Sequence, residues 1–170
     1  YNAPELISNN AHLVEGRYQI DFGKPLEEYS RDLSPAYAVT DLKGAIKDIY
    51  AILLPNQLGY RRKAIEAFKA INHTNLCHCY AAEVTYIQQN QKMQMVAIMQ
   101  RPRGKRLSDI IKTQGALPEK LILKNILSPL NDILARLHQY EVNHGGINPD
   151  NIYFDQTIIV MECISEPSGY

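Results

Sequence analysis

The chain lacks any apolar run approaching the roughly 18 to 20 residues that a helix needs to span a bilayer. Its first residues also lack the charged-then-apolar order of a secretory signal. Net charge is absent too, with 18 Lys and Arg against 18 Asp and Glu, so any preference for a charged partner must reside in local patches. Cysteine is scarce and odd in number (Cys77, Cys79 and Cys163), which provides no disulfide framework. Together these absences make a cytoplasmic location the default. His73, Cys77, His78 and Cys79 resemble a metal cluster only superficially. A single residue separates Cys77 from Cys79, and no second pair follows at zinc-like spacing, so these cysteines are expected to fill apolar space.

What is present describes a soluble globular chain: 170 residues, 45% hydrophobic and 21% charged, enough for one sizeable core or two small lobes. The neutral total hides a gradient. Residues 1–60 carry 5 basic and 8 acidic side chains, residues 61–124 carry 12 and 4, and residues 125–170 carry 1 and 6. Either these charges meet across the folded surface, or the basic middle segment takes an acidic or phosphorylated partner.

Patterning along the chain predicts strands at GRYQI (Gly16–Ile20), AYAVTDL (Ala36–Leu42) and DIYAILL (Asp48–Leu54), with a long acidic loop over Asp21–Pro35. Arg61–Ile71 switches to helical spacing, with Ile65, Phe68 and Ile71 on one stripe. CYAAEVTYI and QMVAIM follow as strands around the turn QQNQK. RPRGKR reads as a polar connector, and LSDIIKT as a short helix ended by Gly115. Leu117–Tyr140 is the strongest helix, with Leu123, Leu127, Leu130, Leu134 and Leu137 at steps of four and three. Pro129 should bend or break it, because its ring removes a backbone donor and clashes with the preceding turn. HGGINPDN (His144–Asn151) comes next, then IYF and IIVMEC as two short strands.

That succession, with HGGINPDN after the long helix, resembles the protein kinase family over about Gly16 to Cys163, in the form of a bacterial-type Ser/Thr pseudokinase with a truncated large lobe. INHTNL and MVAIMQRPRGKRLSDII are similar to that family's regulatory-helix end and hinge. The resemblance implies an α+β fold in which a five-stranded antiparallel small lobe with one helix precedes a reduced, mainly helical large lobe. Its divisions would be a lead-in at 1–15, a small lobe at 16–100, and a hinge and partial large lobe at 101–170. The working parts of such an enzyme are missing. A single Gly23 stands in the phosphate loop beside Glu27, Glu28 and Asp32. Leu53 occupies the phosphate-binding lysine position, and Ala64 that of its partner, with Glu66 on another face of the helix. Gly146 replaces the catalytic acid and Asn148 the loop lysine, while Glu162, Cys163 and Ile164 replace the metal-binding motif. His144, Pro149 and Asn151 are kept, and Asp155 falls on the hairpin turn.

The resemblance therefore implies no enzyme, no catalytic, cofactor-binding or metal residues, and no cofactor. The function it implies is that of an inactive kinase-like scaffold or regulator. Its alternative is a residual phosphotransferase using Asn151 and Glu162 as metal ligands. Nucleotide binding is expected to be weak or absent, with Kd weaker than about 1 mM. A protein partner or homodimer is expected to cover Ile126 and Ile133, left unburied by a truncated lobe. No nucleic acid is expected, because RPRGKR lacks the interleaved aromatics of a stacking surface.

Overall fold

The computed structural model describes residues 11–31, 33–55 and 60–164. Its contacts divide the chain into two compact units, one within residues 1–57 and 80–99, the other within 58–79 and 100–170.

The first unit is built on six strands: β1 (Ala11–Val14), β2 (Tyr18–Pro25), β3 (Ala36–Asp41), β4 (Ile49–Leu54), β5 (Cys79–Ile87) and β6 (Lys92–Gln100). They lie in the order β1-β2-β3-β4-β6-β5, and β1 through β4 pair antiparallel. The edge strands β1 and β5 approach each other. The Glu15 N–H donates to Glu83 Oε2 at 2.9 Å, and His12 Nε2 lies 3.3 Å from Thr85 Oγ1. The sheet thus curls toward a closed barrel, the natural outcome when strand twist accumulates over six strands. Val14, Ile20, Ile49, Leu53, Val96 and Ile98 are among the buried side chains that fill its inside.

The turn after β3 is fixed by one buried carboxylate. Asp41 accepts the backbone N–H groups of Lys43, Ala45 and Ile46, and Arg17 donates to both of its oxygens at 2.7 and 2.9 Å. These charge-assisted bonds hold Asp41 well below the usual carboxylate range, the Arg17 bond foremost and against the opposing effect of burial.

The second unit carries a separate three-stranded sheet, β7 (Lys105–Arg106), β8 (Ile152–Phe154) and β9 (Ile158–Val160), in that order and antiparallel. Its helices are α1 (Arg62–Ala70), α2 (Leu107–Gln114), α3 (Glu119–Leu121) and α4 (Ser128–Gln139). Gly115 ends α2 at φ 79° and ψ −163°, a backbone conformation that essentially only glycine adopts. Between α3 and α4 the helix widens into a π segment, Ile122–Leu127, directly before Pro129. Pro129 has no N–H to offer, and its ring would strike the carbonyl four residues earlier. Widening the helix moves that carbonyl away. The local break expected at Pro129 is present in this form.

The kinase-like fold expectation is corrected by this architecture. The chain does not form an open five-stranded sheet with one helix against it, followed by a mainly helical lobe. It forms a curled six-stranded sheet, a separate three-stranded sheet and short helices. The helix α1 groups with the second sheet and not with the first. Two strands account for much of the difference. β1 comes from AHLV at the end of the lead-in, only four residues long, whose edge pairing to β2 satisfies its backbone. β7 comes from the connector RPRGKR, which pairs with β8 through Lys105 and Arg106 opposite Phe154 and Tyr153. The Asp21–Pro35 loop is also shorter than expected, since β2 extends to Pro25 and a 3₁₀ turn fills Glu27–Tyr29.

Candidate functional site

The HGGINPDN segment lies wholly in the second unit, and its His144, Asn148 and Asn151 side chains bond to backbone that shapes it. His144 is buried, and its Nδ1 accepts the Gly146 N–H at 3.1 Å. That leaves the proton on Nε2, which donates to the Met161 carbonyl at 2.7 Å, so the ring is a neutral strut. Gly145 takes φ 73°, the left-handed conformation that lets the chain reverse after His144. Asn148 Oδ1 accepts the Asp150 N–H at 2.9 Å and starts the 3₁₀ turn Pro149–Asn151. Asn151 Nδ2 donates to the Gly146 carbonyl at 2.8 Å. A Cβ at Gly146 would stand 3.3 Å from that amide, so a larger side chain would press on the bond that closes the loop.

The same loop is clamped from the start of α1. The Arg61 guanidinium donates to the carbonyls of Asn143, His144 and Cys163, and the Arg61 N–H donates to the Ile164 carbonyl at 2.7 Å. Lys63 pairs with Glu141 and holds that carboxyl below its ordinary range. Phe68 meets the His144 ring edge-on at 6.2 Å.

The remaining sequence-derived positions do not converge. Leu53 is fully buried in the first unit's core. In the second unit Ala64 is buried on α1 and Glu66 is exposed, while Asp155 is exposed on the β8–β9 turn. Glu162 is buried, with Oε2 accepting the Ile164 N–H at 2.8 Å, the next backbone but one. Glu27 and Glu28 are exposed on the 3₁₀ turn, Gly23 donates its N–H to Asp21 Oδ1, and Asp32 lies outside the described residues. Among the described residues no three His, Cys, Asp or Glu side chains gather as a metal-holding group. Cys77, Cys79 and Cys163 are buried and form no disulfide among the described residues, and His73 and His78 bond to nearby backbone.

The surface of the second unit holds what sequence reasoning missed. Ile126 and Ile133, expected to face a partner, are buried within the chain at 7% and 0% exposure, together with Leu137. Leu123 and Leu127 are instead exposed at 54% and 41%, and Leu130 and Leu134 are half-buried. Both stripes are apolar in sequence, and the isoleucines recur at the seven-residue interval that could have marked the inner one.

Compared with protein-family models the chain matches none, and no curated protein is significantly similar to it. With the fold goes the function derived from it. The inactive-kinase scaffold and the residual phosphotransferase both lose their basis, and Asn151 and Glu162 are engaged with their own backbone. Among the described residues no helix is long and apolar enough to cross a membrane.

Proposed function

We propose that the chain is a non-catalytic protein-binding module whose contact surface is the leucine stripe Leu123–Leu127–Leu130–Leu134. The observation that carries this reading is the exposure of Leu123 and Leu127 on a helix whose other apolar stripe is already buried. A contiguous apolar patch on a surface marks an interaction site, and apolar anchors at helical spacing are how a helix docks against a groove. The reading of no catalysis is supported by the His144–Asn151 loop, where side chains that could hold a proton or a ligand hold backbone instead. No nucleotide role belongs to this proposal. A cytoplasmic location suits three buried cysteines that form no disulfide among the described residues, a state that a reducing compartment preserves.

The test is affinity capture from the cells that make the chain, comparing wild type with a L123E/L127E double variant. The expected result is a protein retained by wild type and lost by the variant, with melting temperatures unchanged. Identical captures by both chains would overturn the reading.

A further inference from the structure

We propose that the β5 edge of the first unit is a docking site for an extended strand of another protein, which pairs with β5 in the place that β1 guards. This surface lies in a different unit from the leucine stripe and stands on separate observations. β1 and β5 are the two ends of the strand order, and among the described residues no backbone ladder joins them. They meet through side chains instead. Glu83 Oε2 accepts the Glu15 N–H at 2.9 Å, and His12 Nε2 lies 3.3 Å from Thr85 Oγ1. A seam held in this way keeps ladder-capable backbone on both edges, and a further strand satisfies such backbone best.

The residues of β5 fit a strand that receives a partner. Ala81 and Ile87 point into the core, so Glu83 and Thr85 share that inner side while Val84 and Tyr86 point outward. Val84 is 47% and Tyr86 51% exposed, and Leu13, outward on β1 by the same alternation, is exposed as well. Bare edges are ordinarily blunted by lysine, proline or a bulge. Residues 84–87 (Val, Thr, Tyr, Ile) are all strong strand formers and carry neither charge nor proline. Among the described residues their guard is the four-residue strand β1.

One bond makes that guard releasable. Glu15 (φ 51°) and Gly16 (φ 65°) form the two-residue turn between β1 and β2, closed by the Arg17 N–H on the Val14 carbonyl at 3.1 Å. A turn of this left-handed form favours Asn, Asp or Gly at its first place, so Glu15 stands there under strain. The Glu83 carboxylate holds this residue by its N–H, and losing the bond should loosen the turn and lift β1 from β5. An incoming strand replaces the two side-chain contacts with a row of backbone bonds, and its outward side chains pack beside Val84 and Tyr86. The partner that fits is therefore a segment with β-branched or aromatic residues at alternate positions and no proline.

The experiment titrates the 170-residue chain with short synthetic peptides that alternate Thr with Val, Ile or Tyr, and with the same peptides N-methylated at every second residue. Methylation keeps the side chains but removes the ladder donors. The expected result is micromolar binding of the unmethylated peptides alone, with amide exchange slowed across residues 83–87. An E83A variant should exchange faster at Ala11–Val14 and bind the peptides about tenfold more tightly, the worth of one charge-assisted hydrogen bond. V84K places a charge on the exposed edge and should abolish binding with an unchanged circular dichroism spectrum. Equal binding of the methylated peptides would overturn the proposal in favour of apolar adhesion without strand pairing. Unchanged exchange at Ala11–Val14 in E83A would overturn it as well, since Glu83 would then not be what holds β1. Concentration-dependent dimers of the free chain, lost in V84K and indifferent to every peptide, would assign the edge to a second copy and not to another protein. Failure of E83A to bind any of the peptides would end the proposal outright. None of these results alters the capture test of the leucine stripe, so the two readings stand or fall separately.

Discussion

Asp41 shows how much one side chain can organise when all of its hydrogen-bonding capacity is used. Its carboxylate holds a five-residue turn and the Arg17 guanidinium, and it is buried while doing so. Its folded-state pKa is depressed, first by the Arg17 bond. A depressed carboxylate contributes stability that is present above its unfolded pKa, about 3.9, and is lost as pH falls toward the lower folded value. Acid unfolding should therefore steepen below about pH 4. In Asp41→Asn the melting temperature should drop at neutral pH and lose that extra acid dependence, as thermal scans across pH would record. Gly104 makes a second residue-scale prediction. Its φ is +83°, and a Cβ there would lie 2.1 Å from the Phe154 carbonyl oxygen, backbone that cannot swing aside. Gly104→Ala should cost about 2–4 kcal/mol in urea unfolding, through strain and through loss of the β7–β8 pairing. At this scale the sequence was partly legible. Asn151 could be read as a side chain serving its own loop, because an Asn just before a strand commonly does so. The clamp of Arg61 on three carbonyls more than eighty residues away was not, since nothing local marks a long-range donor.

Among the elements, those with strong periodicity were readable. The patterns at Arg61–Ile71 and LSDIIKT became α1 and α2, and the apolar runs became β3, β4, β5 and β6. The elements that escaped, β1 and β7, owe their existence to a partner strand and, at four and two residues, are too short for alternation to show. The helix across Pro129 was legible in its break but not in its facing. A π segment holds more residues per turn and so places them at a smaller angular step than an α-helix does, and a face read at 3.6 residues per turn is misassigned upstream of Ser128. This has a measurable consequence. Pro129→Ala restores a backbone donor and removes the ring clash, so the chain should gain about 1 kcal/mol in stability. The gain stays small because Ile126 must remain buried, which keeps the upstream turn wide even without the proline. Urea titration would measure the gain, and a destabilised P129A chain would show that the ring packs favourably where it stands.

For the whole molecule, local pattern gave the strand count nearly right and the architecture wrong. The reason lies in contacts that join distant segments. The curl of the first sheet depends on Glu15 meeting Glu83, and the grouping of α1 with the second sheet depends on bonds from Asn75 and Cys77 to the β8–β9 region. Alternating hydrophobicity reports which face of a strand is buried, but not which strand lies beside it. The same limitation hid the choice between the two stripes of the long helix, and there a pair of variants separates core from contact surface. Ile133 is fully buried, so Ile133→Asp would place an unpaired carboxylate among apolar side chains and should cost about 3–5 kcal/mol, enough to unfold a marginal chain. Leu123 is 54% exposed, so Leu123→Glu should change stability by no more than about 0.5 kcal/mol. Thermal unfolding followed by circular dichroism reads both. If the L123E chain melts with wild type while I133D does not fold, the isoleucines belong to the core and the leucines are free for a partner. If L123E instead unfolds as readily as I133D, the leucine stripe is part of the chain's own core, and the contact surface must be sought elsewhere on the second unit.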